Sequence, residues 1–269
     1  MSGDPDLPAV PPAVAPPASG AVPWAELRQL TAARIGLASS GAGLATAPLL
    51  DFRLAHAAAR DAAHDELDCV GLAADLAALA PGVPAEVVCV ASRAADRRTY
   101  LLRPDLGRAL DLASAAALAQ HAGRYDLAIA VADGLSARAV EMHAAPVLAE
   151  ALPPLRDAGW RIAPVVVVRQ GRVAIGDAIA VALGAAAVVV LIGERPGLSA
   201  PYSVGAYLTW DPGPTRTDAD RNCISNIRPE GIGYREAADK LVYLLRQMRA
   251  RGGSGVGLKD ESNQAGMLR

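Results

Sequence analysis

Residues Ala185–Gly197 read AAAVVVLIGERPG. The stretch up to Gly193 is small or branched and apolar without a break. A strand exposed on one face alternates polar with apolar. An unbroken Val/Ala/Leu run is instead the pattern of a strand covered on both faces, and so of a parallel sheet flanked by helices. At its carboxyl end the run delivers Glu194 and Arg195, held between Gly193 and Pro196–Gly197. A plain turn needs no such pair of charges. The stretch therefore raises two expectations: the last buried strand of a sheet, and a site at its end.

Working outward, two more such runs precede it, DLAIAVADG (126–134) and RIAPVVVVRQ (161–170). Between the runs lie helical segments, SARAVEMHAAPVLAEALPPLRDAG with Ser136 at its start as N-cap, and IGDAIAVALG. A helix over about 109–122 leads in. A last helix, YREAADKLVYLLRQMRARG, turns Ala237, Leu241, Leu244 and Leu245 inward. This alternation predicts an α/β fold, with a Rossmann-like parallel sheet domain over residues 109–252.

Residues 23–108 read as a small, mainly helical N-terminal domain. Leu27, Leu30, Ala33 and Leu37 recur at helical spacing, SSGAGLAT interrupts, and APLLDFRLAHAAARDAAHDEL resumes as a helix. His56 and His64 lie on it two turns apart, too far for joint metal ligation, and are expected at the surface or at an interface. Val87–Val90 and Thr99–Leu102 read as two strands of a hairpin, followed by RPDLGR as a tight loop that opens a helix. Residues 1–22, rich in Pro and Ala, are expected to form a flexible tail. Residues 253–269, Gly-rich and polar, are expected to be loosely ordered or docked on a partner.

Composition excludes several classes. The chain of 269 residues is 52% hydrophobic with a net charge of -2, and its charges of both signs are mixed. It carries no electrostatic footprint for nucleic acid or a membrane surface. No run reaches the roughly 18 apolar residues of a membrane span. The opening residues lack a basic stretch followed by an apolar one, so no secretory leader is expected. Cys69, Cys89 and Cys223 are widely separated and form no metal-ligand motif, as expected of a reduced, cytoplasmic protein. Aromatics are scarce at 4%, with Phe52 the sole phenylalanine, which suits packing against a partner.

In open α/β sheets ligands sit beyond the carboxyl ends of the strands. Here each end carries chemistry: Asp133 and Ser136 after the first strand, Arg172 and Val173 after the second, Glu194 and Arg195 after the third. A further loop, TDADRNCISNIRPEG, supplies Cys223 and Asn226. No dinucleotide GxGxxG, Walker A loop or GxSxG nucleophile elbow is present. No histidine stands in the DxHxxG context that lets a protein replace the lower axial base of cobalamin. Glu194 and Asp133 have the chemistry of acid/base groups, but a carboxylate at a strand end more commonly accepts hydrogen bonds. The pattern is a binding surface for a polar, large ligand, without a self-contained catalytic constellation.

The ordered series TAARIGLASSGAG, LLDFRLAHAAARDAAH, YLLRPDLGR, ADGLSARAV, GRVAIGDAIA, LIGERPGLSAPYSVGAYLTW and DRNCISNIRPEGI resembles the small subunit (light chain) of ethanolamine ammonia-lyase. The resemblance runs from about Trp24 to the end of the last helix. It implies an adenosylcobalamin-dependent enzyme that converts ethanolamine to acetaldehyde and ammonia by radical chemistry. It implies a hetero-oligomer in which a large barrel subunit holds the substrate and this chain covers the cobalamin from the other side. The corrinoid then keeps its own dimethylbenzimidazole on cobalt. Cofactor contacts carried over from the resemblance fall on Val173, Glu194 and Cys223. Arg172, Arg195, Asp133, Ser136 and Asn226 are further candidates; no catalytic residue and no metal ligand is assigned to this chain. RPDLGR and the helical region before it are expected to face the large subunit. The resemblance also raises a bacterial microcompartment as the location, although the Pro-rich opening has no amphipathic helix. The main alternative is a non-catalytic Rossmann-type nucleotide- or corrinoid-binding or assembly module. A free-standing lyase with Glu194 as base is the weakest reading, because no nucleophile, base and orienting group cluster in the sequence.

Overall fold

The buried run does form a strand at the centre of a sheet. The computed structural model describes residues 24–79 and 86–262. The expectation for the tail over residues 1–22, and that for residues 263–269, lie outside the described residues. In chain order the elements are α1 (Trp24–Leu27), β1 (Ser39–Ser40), β2 (Gly43–Leu44), α2 (Thr46–His64), α3 (Cys69–Ala77), β3 (Val87–Ala91), α4 (Arg97–Leu102), α5 (Leu112–Ala119), β4 (Tyr125–Ala132) and α6 (Ala137–Asp157). They continue with β5 (Val165–Arg169), α7 (Ile175–Leu183), β6 (Ala185–Gly193), β7 (Val204–Trp210), β8 (Arg221–Ile227) and α8 (Tyr234–Arg251). The chain divides into two compact units, one up to Leu49 and one from Leu50 onward.

In the first unit the expected helix from Trp24 to Leu37 stops after one turn. Arg28 explains the stop: its guanidinium donates to the carbonyls of Ile35 and Gly36, so the chain folds back over itself. Gly36 takes a left-handed φ of 55° beneath the Trp24 ring, where a Cβ would collide. The SSGAGL segment expected as a break forms the small β1–β2 ribbon.

In the second unit a six-stranded sheet runs in the order β3-β5-β4-β6-β7-β8. The first four are parallel, and β7 and β8 are antiparallel. The fold class is α/β, as expected, but the sheet is mixed. Alternate residues divide between two cores. Leu127, Ile129 and Val131 of β4 face α3, α6 and α8, whereas Ala128, Ala130 and Ala132 face α5 and α7. Each fully buried Leu, Ile or Val contributes about 1.5–3 kcal/mol relative to exposure, so both layers are needed to hold the central strands.

Five local expectations are corrected. Thr99–Leu102 is helical, not a strand. The Asp96 carboxylate accepts the Thr99 N–H at 2.7 Å as N-cap, and this outweighs the β-propensity of the Thr-Tyr pair. No hairpin forms, because β3 pairs in parallel with β5 and occupies the sheet edge, so the sheet begins before residue 109. The 185–193 run is not the last strand. The short connection from Glu194 to Ser203 reverses the chain and leaves β7 only the antiparallel option. RNCISNI is strand β8 rather than loop, with Arg221, Ile224 and Ile227 buried, Asn222 half-buried and Cys223, Ser225 and Asn226 exposed. The Gly-rich end is docked on the chain's own sheet as far as it is described: Asn222 Nδ2 donates to the carbonyls of Gly255 (3.2 Å) and Leu258 (2.7 Å), and Leu258 is buried.

Candidate functional site

The carboxyl ends of β5, β4 and β6 lie side by side, and two glycines bring the last two into contact. Gly134 adopts a φ of 56°, and the Leu135 N–H donates to the Gly193 carbonyl at 2.9 Å. A Cβ on Gly134 would strike the Gly193 carbonyl, and one on Gly193 would strike those of Ser136 and Asp133. Glycine at both positions lets ADGLS and GERPG cross at backbone distance.

Asp133 then draws in the end of β5. It has no exposed surface, and its carboxylate accepts the N–H groups of Gln170 (2.8 Å) and Gly171 (3.0 Å). Gln170 pays with a φ of 55°. Burial pushes the Asp133 carboxyl up to about 6, against the opposing pull of those N–H groups and of Arg97, 3.9 Å away. This stitch sets Arg172 and Val173 beside Glu194.

Arg172 lies over the Tyr100 ring, its guanidinium carbon 4.2 Å from the centroid, and its Nη2 donates to the Tyr100 carbonyl at 2.9 Å. Its Nε is buried without a hydrogen-bond partner among the described residues. Tyr100 is itself buried, donates to the Gly171 carbonyl at 3.2 Å, and has its phenol pushed up to about 12 by burial. Arg97, also buried, approaches the same ring at 4.9 Å.

Glu194 is half-buried and takes two hydrogen bonds on Oε2, from Ser203 Oγ at 2.6 Å and from the Asn226 N–H at 3.0 Å. Asn226 holds a left-handed φ of 58°, and its side-chain oxygen accepts from Arg228 at 2.9 Å. Cys223 faces Tyr207 across the β7–β8 ladder. Burial, reinforced by the charge of Glu194, pushes the Cys223 thiol up, while the hydrogen bond with Tyr207 pulls it down. The residue as a whole is exposed.

These groups surround an open cavity of about 470 Å³. Arg172, Val173, Glu194, Arg195, Tyr100 and Tyr207 line it. Cys223 adjoins it through Tyr207, and Asn226 through the Glu194 carboxylate. Asp133 and Ser136 stand behind the wall with no exposed surface. The Ser136 side chain makes no cap bond to its helix and instead donates to the Pro201 carbonyl at 3.4 Å. Sequence reading missed Tyr100, Tyr207 and Ser203, for no motif joins them to the strand ends. The Asp96 cap was the one local signal that turns Tyr100 inward.

A larger groove of about 630 Å³ runs beside α7, lined by Val181, Ala178 and Pro214. Its carboxylate, Asp177, is already locked to Arg221 at 2.6 Å. Of its two arginines, Arg216 is paired with Asp211 at 2.6 Å, which leaves Arg108 beside a mainly apolar lining. The cavity at the strand ends, with converging charged and aromatic groups, is the better candidate. No cluster of three metal-ligating side chains occurs among the described residues.

The ethanolamine ammonia-lyase light chain (EutC) family matches residues 21–259. The ethanolamine ammonia-lyase small subunit of Ralstonia nicotianae is 52% identical over 242 residues, covering 88% of each chain. That of Pseudomonas aeruginosa is 51% identical over 254 residues, covering 92% of this chain and 90% of its own. That of Pseudomonas fluorescens is 51% identical over 244 residues, covering 89% and 87%. The match takes in every strand of the sheet and every residue of the cavity wall, and with it the chain belongs to the ethanolamine ammonia-lyase small-subunit family.

Proposed function

We propose that this chain closes one side of the adenosylcobalamin site in a two-subunit ethanolamine ammonia-lyase, with a large subunit holding ethanolamine and yielding acetaldehyde and ammonia. The observation that supports this reading is the gathering of Arg172, Val173, Glu194 and Arg195 around one open cavity at the strand ends. The residues suit a corrinoid. The cavity is smaller than the whole group, so it takes part of the periphery and leaves the rest to another chain. Glu194 accepts from ribose hydroxyls or corrin amides, while Ser203 and the Asn226 N–H fix its carboxylate. Val173 and Ile192 offer apolar surface, and Cys223 a small soft contact beside Tyr207. Among the described residues no histidine lines the cavity. When bound, adenosylcobalamin supplies the radical that starts the reaction on ethanolamine.

Co-expression with a barrel-type large subunit tests the reading. Acetaldehyde release from ethanolamine is expected only with both chains and added adenosylcobalamin. Glu194→Ala is expected to leave the complex assembled and to weaken corrinoid retention roughly 10- to 100-fold, the loss of a charged hydrogen-bonding group. Unchanged retention in that variant would remove Glu194 from the site. Corrinoid binding without ethanolamine turnover would keep the cavity and overturn the substrate. The reading places the complex in the cytoplasm. Fractionation against a shell protein tests a microcompartment location. No helix among the described residues is long and apolar enough to cross a membrane.

A further inference from the structure

Cys69 and Cys89 are twenty positions apart in sequence and adjacent in space. Cys69 is the first residue of α3, behind the Asp68 cap. Cys89 lies on the edge strand β3, against which α3 packs, and its Sγ is 3.5 Å from the Cys69 carbonyl oxygen. The Cys89 thiol is also close enough to act on the ionisation of Cys69. They line an open cleft of about 360 Å³ with Val70, Asp111 and Arg169, on the opposite edge of the sheet from Cys223. Five strand spacings separate β3 from β8, about 24 Å, so Cys223 cannot join either thiol within one chain.

We propose that Cys69 and Cys89 are a covalent modification site, a dithiol that hydrogen peroxide converts to an intrachain disulfide while Cys223 stays reduced. This inference does not rest on the cofactor reading. Cys89 is exposed and reacts first. Its thiolate attacks one peroxide oxygen and the O–O bond breaks. Cys89 becomes a sulfenic acid, and the departing oxygen takes a proton to leave as water. The Cys69 sulfur then attacks the Cys89 sulfur. The S–S bond forms, the S–O bond breaks, and the sulfenic oxygen leaves as a second water with the Cys69 proton. Two thiols lose two electrons and one hydrogen peroxide gains them.

The order of events follows from the surroundings. Burial, together with the Cys89 charge, pushes the Cys69 thiol up to about 12, despite its place at a helix N-terminus. Cys69 is therefore a poor first nucleophile. Once Cys89 is a neutral sulfenic acid, part of that repulsion is gone and the partner residue is already adjacent. Capture by the adjacent thiol stops Cys89 short of the irreversible sulfinic acid. The bridge ties α3 to the sheet edge.

The reduced full-length chain is treated with a small excess of hydrogen peroxide, alkylated, and mapped by non-reducing peptide mass analysis. The expected product is a Cys69–Cys89 cross-link with Cys223 alkylated, reversed by dithiothreitol. In Cys69→Ser, Cys89 is expected to accumulate as a trappable sulfenic acid and proceed to sulfinic acid. Over-oxidation of Cys89 in the wild-type chain without a cross-link would overturn the proposal. So would consumption of Cys223 as fast as Cys89. The wild-type map decides the question even where the variant folds poorly.

Discussion

At the residue scale, the cavity wall depends on groups that never reach its surface. Asp133 is the clearest case, since it fixes Arg172 and Val173 by holding two backbone N–H groups. Its position carries a cost that pH reveals. The carboxyl titrates at about 6 in the folded chain against 3.8 in the unfolded one, so the folded state binds the proton more tightly. The resulting stabilisation is full below about pH 4 and is lost as pH rises to about 6, a change of about 3 kcal/mol. Asn at this position keeps a carbonyl acceptor and does not titrate. Across this window the wild-type chain is expected to lose stability relative to Asp133→Asn, as read by urea unfolding at each pH. Parallel curves for the two proteins would refute the shift. Sequence reading placed Asp133 at the site because a strand end delivers it there, but the side chain faces backward onto the β5 loop. Glu194 and Arg172 were legible by the same reasoning. Ser203 and Tyr100, which position them, were not: their contacts span nine and seventy-two positions, and no local pattern encodes them.

At the element scale, the three central parallel strands β4, β5 and β6 were legible because burial on both faces leaves an unbroken apolar run. α4, β7 and β8 were not, for different reasons. In α4 a cap overrides side-chain propensity. β8 is an edge strand in which Asn222, Cys223, Ser225 and Asn226 are half-buried or exposed, so it reads as a loop. What ties this polar edge down is Arg221, whose guanidinium grips Asp177 of α7 at 2.6 and 3.0 Å and Thr209 of β7 at 2.8 Å. Both charges are nearly inaccessible. Removing one member leaves an uncompensated buried charge. Arg221→Met is therefore expected to cost about 3–5 kcal/mol, while Arg221→Met with Asp177→Leu recovers most of it. Thermal or urea unfolding of the two variants checks this. A double variant as unstable as the single one would mean that the pair supplies packing that apolar residues cannot replace. Because β8 also carries Cys223 and Asn226, the single variant is expected to loosen the Glu194 carboxylate as well.

At the scale of the whole molecule, the cavity faces outward, and so do many apolar side chains. Leu50, Phe52 and Leu54 of α2 are exposed, and Ala62 is the only buried residue among those nineteen. A helix of this length gains little from its own hydrogen bonds in water and ordinarily relies on packing one face. The Ala-rich, aromatic-poor composition had pointed to a partner. The relatives, named as small subunits, make a large subunit the natural one. An open half-site has a thermodynamic consequence. If another chain supplies the remaining contacts, corrinoid affinity and subunit association are linked, and each must strengthen the other. The isolated chain is then expected to bind adenosylcobalamin at least ~100-fold more weakly than the two-chain complex, a difference of about 2.7 kcal/mol. Absorbance titration of the chain alone and of the complex measures both affinities. Equal tight binding would mean that the cavity of this chain is a complete site, and that the large subunit contributes chemistry without contributing to the cofactor's affinity.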